Sequence, residues 1–153
     1  MNNRIKISGR AIEILHVEDN PGDVRLLKQV LKKSGFSNQL NSVPSGEATL
    51  DFLNRKTPYR EAPRPDVILL DLKLPGKDGL TVLNEIRQST DFKNIHVIVL
   101  TSSESELDEN WATRLNANHY LVKPYDLEDF AELIKLLREL WFKTFRKRQE
   151  NDF

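Results

Sequence analysis

Asp71 is the residue whose position most clearly suggests chemistry. It follows an unbroken apolar run, residues 67–70, and a loop rich in Pro and Gly, residues 74–79, comes soon after it. A short apolar run is typical of a parallel strand buried on both faces. Because open parallel sheets bind ligands at the carboxyl ends of their strands, Asp71 lies where such a fold does its chemistry. A strand that simply ends in an acid is the structural alternative.

Further polar residues follow apolar segments in the same way. Glu18 and Asp19 follow the first segment, Thr101 follows the fourth, and Lys123 stands before Pro124 after the fifth. If these segments are strands of one sheet, three carboxylates meet at one edge and repel one another unless a cation or shifted pKa values intervene. Oxygen ligands without His or Cys favour Mg²⁺ over zinc.

These groups together can carry out phosphoryl transfer. Asp71 is a candidate nucleophile, because carboxylates form acyl phosphates. Mg²⁺ would neutralise charge on the phosphoryl group. The Thr101 hydroxyl can donate to one phosphoryl oxygen, and the Lys123 ammonium can hold another. The sequence therefore predicts transient phosphorylation of Asp71.

Each of these residues also has a structural interpretation. Residues 18–20 can cap the next helix, Thr101 can cap the helix after its strand, and Lys123 can be a solvated strand end. None is specific alone, but their order and their common edge favour a shared site.

The predicted elements that position this site alternate regularly between strand and helix. Asn20 and Pro21 suit the start of the first helix, and Asp23 suits its first turn, where an acid favours the helix dipole. The alternation predicts a parallel sheet with helices on both faces. Strands are expected at residues 11–17, 38–43, 67–70, 96–100 and 119–122.

The composition limits the class of protein. The 153 residues fit one domain, at about 100–200 residues per domain. Twenty-three basic and 23 acidic residues cancel, so no overall charge favours nucleic acid or membrane as a partner. Without Cys there is no disulfide framework, and the N-terminus lacks the apolar core of a secretory signal. We expect a cytoplasmic protein.

The strand-end motifs together resemble the receiver domain of the two-component response regulators. The resemblance covers roughly residues 11–140, with residues 1–10 as an N-terminal arm and residues 141–153 as a C-terminal helix extension and tail. It implies a flavodoxin-like (βα)5 fold, a doubly wound parallel sheet of strand order 2-1-3-4-5. The matching motifs are ILHVEDN (14–20), VILLDL (67–72), LPGKDG (74–79), VIVLTS (97–102) and YLVKPY (120–125).

The resemblance also implies ligands and a donor. Asp71 would accept the phosphoryl group from the phosphohistidine of a sensor histidine kinase. Mg²⁺ would be held by Asp19, Asp71 and the backbone carbonyl of Lys73, with Glu18 assisting through water. Lys73 departs from the family, where Asn or Met is more common, and its charge could alter the lifetime of the phosphate.

Thr101 and Tyr120 match the family's switch pair. The phosphoryl group would draw the Thr101 hydroxyl inward, and the ring of Tyr120 would fill the vacated space. The surface of the fourth helix, fifth strand and fifth helix would then change. A half-buried strand aromatic is the alternative for Tyr120.

Three segments indicate the subtype. Residues 20–25, the Pro-rich loop at 58–66 and the aromatic end of the last helix resemble single-domain receivers that serve bacterial phytochromes, so a phytochrome-type kinase is the expected partner. About 28 residues follow Tyr125, too few for an effector domain, and output is therefore expected through binding.

The last helix carries more apolar residues than one buried stripe needs. We expect the surplus to form a homodimer through the fourth helix, fifth strand and fifth helix. Folding back onto the same domain is the alternative. The expected interface residues are Trp111, Leu140, Trp141, Phe142 and Phe145.

Two other functions remain open from the sequence. One is a Mg²⁺-dependent phosphohydrolase that works through an aspartyl phosphate, although such enzymes often carry a second acid where this chain has Lys73. The other is a receiver-shaped scaffold that is never phosphorylated.

Overall fold

The protein has a parallel sheet of five strands at its centre. The computed structural model describes the backbone of residues 11–151 and the side chains of residues 11–144. The strand order is β2-β1-β3-β4-β5, and every neighbouring pair is parallel. The flavodoxin-like prediction is confirmed. The strands are β1 (Ile12–Val17), β2 (Asn38–Val43), β3 (Val67–Leu70), β4 (His96–Thr101) and β5 (His119–Val122).

The helices begin at polar caps that the sequence provides. The side chains of Asn20, Ser45, Asp78 and Ser105 each accept a hydrogen bond from a backbone amide of the first helical turn. Such caps satisfy amides that have no partner inside the helix. The helices are α1 (Pro21–Lys32), α2 (Gly46–Leu53), α3 (Gly79–Gln88), α4 (Glu106–Arg114) and α5 (Ala131–Asn151), with a 3-10 turn at Leu127–Phe130 before α5.

The sheet separates two apolar clusters. Side chains alternate across each strand, so both faces of β1, β3 and β4 are covered. The first cluster joins the sheet to α2 and α3 and includes Leu15, Val17, Phe52, Ile68, Leu70, Val82, Leu83, Ile86, Val97 and Val99. The second joins it to α1 and α5 and includes Ile12, Ile14, Leu27, Leu31, Val67, Leu69, Ile98, Leu100, Leu133 and Leu137.

Helix α4 lies loosely on the sheet. Ala112 is its one buried residue, whereas Leu107 is 66% and Trp111 is 45% exposed. The apolar side chains of Leu107 and Trp111 are therefore mostly turned to solvent.

No helix within residues 11–151 combines the length and the apolar character that crossing a bilayer requires. The N-terminal arm, residues 1–10, lies outside the described residues.

Candidate functional site

The expected site residues are fixed at one edge of the sheet by backbone hydrogen bonds that continue beyond the strands. The amide of Glu18 donates to Val43 at 3.0 Å, and the amide of Asp71 donates to Val17 at 3.2 Å. The amide of Lys123 donates to the carbonyl of Thr101 at 2.8 Å. The sheet itself therefore brings the four strand ends together, as the alternation predicts.

Three carboxylates form an acidic cluster at this edge, consisting of Glu18, Asp19 and Asp71. One oxygen from each lies within 4.8 Å of the other two. Glu18 and Asp71 are buried, and Asp19 is exposed. Burial raises the pKa of Glu18, whereas its hydrogen bond to Lys123 opposes that rise. Because this set offers only oxygen ligands, it fits a hard divalent cation such as Mg²⁺.

Lys123 is surrounded by carboxylates. Its Nζ lies 2.8 Å from Oδ2 of Asp71, 2.5 Å from Oε1 of Glu18 and 3.1 Å from Oδ2 of Asp23. Burial alone would lower the pKa of Lys123, but the hydrogen bonds to Asp71 and Glu18 outweigh it and raise the pKa above its ordinary value. The ammonium is therefore charged at neutral pH.

Asp23 is a member of this site that the sequence interpretation missed. The sequence suggested only that it stabilises the first turn of α1, and its contact with Lys123 adds a fourth carboxylate. The available signal was its position in the first turn of α1, the helix that follows Glu18 and β1. The turn carries Asp23 towards the same edge of the sheet.

The loop after Asp71 depends on Gly79. The amide of Gly79 donates to the carbonyl of Leu72 at 3.0 Å, which brings the start of α3 against the end of β3. A Cβ at Gly79 would lie 2.3 Å from the carbonyl oxygen of Asp71 and 2.5 Å from Cα of Leu72. The absence of a side chain thus permits the close approach that fixes the acceptor.

Lys73 lies in the same loop. Its amide donates to Oδ1 of Asp71 at 3.1 Å, and its side chain is exposed. Both carboxylate oxygens of Asp71 are therefore engaged, one by this amide and the other by Lys123.

Both residues of the expected switch pair contact Ser103. Thr101 is fully buried at the end of β4, and its Oγ1 accepts a hydrogen bond from the amide of Ser103 at 3.4 Å. The hydroxyl of Tyr120 donates to the carbonyl of Ser103 at 2.9 Å. Burial raises the pKa of Tyr120, so its hydroxyl remains a donor at neutral pH.

The side chain of Ser103 continues this connection into α4. Its hydroxyl donates to Oδ2 of Asp108 at 2.6 Å and accepts from the amide of Ser105 at 3.2 Å. Ser103 therefore completes the N-terminal cap of α4 while contacting both switch residues. Sequence reasoning missed it, because a serine after a strand end carries no signal of such contacts.

The expected dimer residues are only partly exposed. Trp111 lies on the surface of α4, beside the guanidinium of Arg114 at 5.5 Å. Trp141 packs on its own domain, with its ring 6.5 Å from that of Phe36, and Leu140 packs against the same apolar cluster. Phe142 is exposed, with its ring 6.2 Å from that of Trp141. The side chain of Phe145 lies outside the described residues.

Comparison with known proteins gives a consistent result. The family model for the response regulator receiver domain matches residues 14–135. The response regulator Rcp1 of Synechocystis sp. is 42% identical over 131 residues, which cover 86% of this chain and 89% of that protein.

Two solved structures are also similar. The Mn²⁺-bound form of Rcp1, 42% identical, has a TM-score of 0.76 and covers 85% of this chain and 94% of the other. The phosphorylated cyanobacterial phytochrome response regulator RcpA, 36% identical, has a TM-score of 0.79 and covers 88% and 96%. The fold, the arrangement of the strand ends and these matches agree, and this chain belongs to the response regulator receiver domain family.

Proposed function

We propose that this receiver domain accepts a phosphoryl group on Asp71 from the phosphohistidine of a sensor histidine kinase. A carboxylate oxygen of Asp71 attacks phosphorus, and the P–N bond breaks. The electron pair of that bond goes to the imidazole nitrogen, and an acyl phosphate forms on Asp71. The observation that carries the proposal is the 2.8 Å contact between Nζ of Lys123 and Oδ2 of Asp71, within an acidic cluster.

Mg²⁺ is the proposed cofactor. Asp19, Asp71 and the backbone carbonyl of Lys73 would hold it, with Glu18 acting through water. When bound, the ion supplies positive charge next to the incoming phosphoryl group. The oxygen-only acidic cluster supports this assignment, as does the Mn²⁺ in the structure of the related Rcp1.

Output follows from the switch pair. The Thr101 hydroxyl turns towards the phosphoryl group and leaves the amide of Ser103, and Tyr120 moves with the Ser103 segment. The surface formed by α4, β5 and α5 changes as a result. The support for this step is the pair of hydrogen bonds through which both residues contact Ser103.

The proposed kinase is a phytochrome-type light sensor in the cytoplasm. The support is the similarity to RcpA, a phytochrome response regulator, and to the bacteriophytochrome response regulator RtBRR, which is 41% identical. The proposed homodimer uses the α4, β5 and α5 surface, where the exposed side chains of Trp111 and Phe142 lie.

The phosphohydrolase alternative lacks such support. Receiver domains of this kind are signalling proteins rather than enzymes, and Lys73 occupies the position of a second acid. A phosphatase would release phosphate from a generic ester over many turnovers, which we do not expect here.

The test is phosphoryl transfer from a panel of purified histidine kinases, scored at early times. The unchanged chain should be labelled by its cognate kinase and by acetyl phosphate, and Asp71→Asn should abolish both. Asp91→Asn, which neutralises an exposed acid away from the site, is the matched control and should be labelled normally. Undiminished labelling of Asp71→Asn would show that Asp71 is not the acceptor.

A further inference from the structure

We infer that Asp23 is a positioning residue, which retains Lys123 at the site when a divalent cation occupies the acidic cluster. The inference rests on the proposed function and adds a residue to it. Asp23 does not belong to the acidic cluster itself, and it is carried by α1 rather than by a strand end.

The first step concerns the partners of Lys123. An ammonium group has three N–H donors, and the three carboxylates of Asp71, Glu18 and Asp23 surround the one on Lys123. Two of these three belong to the acidic cluster. A cation bound to the cluster therefore competes with Lys123 for Glu18 and Asp71, but it leaves Asp23 to the lysine.

The second step concerns the cost of that competition. The Lys123 side chain is mostly buried, and a buried ammonium that loses its partners is strongly destabilised. Asp23 is partly exposed and keeps one ionic partner beside Lys123 throughout. It therefore lowers the free-energy cost of binding the cation and keeps the ammonium near Asp71, where the phosphoryl group arrives.

The third step is that Asp23 is held in place. Its amide donates to Oδ1 of Asn20 at 3.1 Å, and the amide of Asn20 donates to Oε2 of Glu18 at 3.2 Å. Together with the contacts of Lys123, these bonds close a ring through Glu18, Asn20, Asp23 and Lys123. The ring ties the first turn of α1 to the edge of the sheet, so the carboxylate of Asp23 has a fixed place beside the lysine.

The charges at this edge of the sheet also favour binding of a cation. Three carboxylates at this edge, those of Glu18, Asp23 and Asp71, contact the ammonium of Lys123, and Asp19 adds a fourth carboxylate to the acidic cluster. The site is thus anionic before any cation binds, and Asp23 contributes to that potential without occupying a ligand position. Its charge by itself makes only a small contribution to cation binding, and a double-mutant cycle separates that contribution from the pairing with Lys123.

The experiment is a Mg²⁺ titration of the full chain, followed by the amide signals of its ¹H–¹⁵N NMR spectrum with no phosphate donor present. Asp23→Asn should weaken Mg²⁺ binding about tenfold, the lower end of the effect that losing an outer-shell group commonly has. Glu106→Gln removes an exposed first-turn acid from α4 and is the matched control, expected to change the affinity less than about twofold.

The cycle repeats the titration in the Lys123→Met background. If Asp23 acts through Lys123, Asp23→Asn should there change the affinity for Mg²⁺ by less than about twofold. An equal loss in both backgrounds would mean that Asp23 acts as a general charge, and it would overturn the inference. If Lys123→Met does not fold, Asp23→Asn against Glu106→Gln still decides, because equal affinities would overturn the inference.

The proposed function can fail separately. If the unchanged chain binds Mg²⁺ and Asp23→Asn binds it equally well, only the role of Asp23 is wrong. If Asp71 is not phosphorylated by any donor, the proposed function is wrong whatever the titrations give. If the unchanged chain does not bind Mg²⁺, both the metal assignment and the role of Asp23 are overturned.

Discussion

The hydroxyl of Tyr120 and the backbone of Ser103 are joined by a 2.9 Å hydrogen bond between β5 and the segment after β4. Ser103 is also the residue through which Thr101 contacts α4, because its hydroxyl binds Asp108. A change at Thr101 therefore has a short covalent and hydrogen-bonded route to the helix that carries Trp111.

Ser103→Ala should weaken the response of α4 to phosphorylation. The protein has two tryptophans, so Trp111 becomes the sole tryptophan in a Trp141→Phe background and can be excited selectively at about 295 nm, where tyrosine does not absorb. In that background, acetyl phosphate with Mg²⁺ should change the emission of Trp111. Ser103→Ala should reduce the change by about half or more, because the hydrogen bond to Asp108 is lost.

The extent of phosphorylation must be measured in the same samples by intact-protein mass. Ser102→Ala, at the exposed neighbouring serine, is the control and should respond like the Trp141→Phe background. Equal responses of Ser103→Ala and Ser102→Ala at equal phosphorylation would show that Ser103 does not connect the switch pair to α4.

Lys123→Met should destabilise the fold in the absence of divalent cations. It leaves the carboxylates of Glu18 and Asp71 buried without their cation, which we expect to lower the free energy of unfolding by about 2–4 kcal/mol. Saturating Mg²⁺ should restore part of the loss, since the ion can replace the missing charge. Urea unfolding with and without Mg²⁺ measures both effects.

Lys77→Met provides the comparison for that experiment. Lys77 pairs with Glu85 at 2.8 Å, but both side chains are partly exposed, so the cost should stay below about 1 kcal/mol. If Lys123→Met were no more destabilising than Lys77→Met, the carboxylates would not depend on Lys123 for their stability.

Gly79→Ala should destabilise the protein and disturb the acceptor. The added methyl group would overlap the backbone of Asp71 and Leu72, and overpacking of this kind costs at least about 2 kcal/mol. Phosphorylation by acetyl phosphate should slow as well, because the end of β3 must move. Gly22→Ala, where the atom nearest to the new Cβ is Oδ1 of Asn20 at 3.1 Å, should cost less than about 1 kcal/mol. Equal stability of both variants would contradict the close approach at Gly79.

Stability should fall as the pH drops from about 6.5 towards 4. Burial, with smaller electrostatic contributions from the neighbouring His119, Arg87 and Lys143, lowers the pKa of His96 to about 4. Between these two pKa values His96 binds a proton in the unfolded chain but not in the folded one. Its contribution to stability is therefore fully present above the unfolded pKa and is lost as the pH falls towards the folded pKa. Discounted for the partial exposure of His96, the loss by pH 5 is about 1 kcal/mol.

His96→Gln should flatten that part of the pH profile, as measured by urea unfolding at several pH values. Buried His16, whose pKa is also lowered to about 4, contributes in the same direction and should leave a residual slope. If His96→Gln had the same dependence of unfolding free energy on pH as the unchanged chain, the loss of stability at low pH would come from other groups.

Elements with a strong local signal could be predicted from the sequence. The unbroken apolar runs at residues 67–70 and 96–100 correctly predicted β3 and β4. The buried faces of short helices are harder to predict. In α2, Phe52 and Leu53 are buried and Leu50 is half-buried, and eight residues are too few to fix the phase of an amphipathic pattern.

Some residues of the site could be predicted from the sequence and others could not. Asp71 and Lys123 could be predicted because all strands of a parallel sheet end at the same edge, which brings the residues after them together. Asp23 and Ser103 were not, because their roles depend on side-chain directions at the first turns of α1 and α4. Those directions follow from packing between elements, which sequence periodicity does not encode.

Because the sheet divides the core into two clusters, a movement of the Tyr120 ring can be confined to one of them. Tyr120 packs with the cluster beneath α2 and α3, whereas its neighbour Leu121 packs with the cluster beneath α1 and α5. When the tyrosine ring moves, only the cluster beneath α2 and α3 must repack. The densely packed layer beneath α1 and α5 can keep its arrangement while the other layer changes.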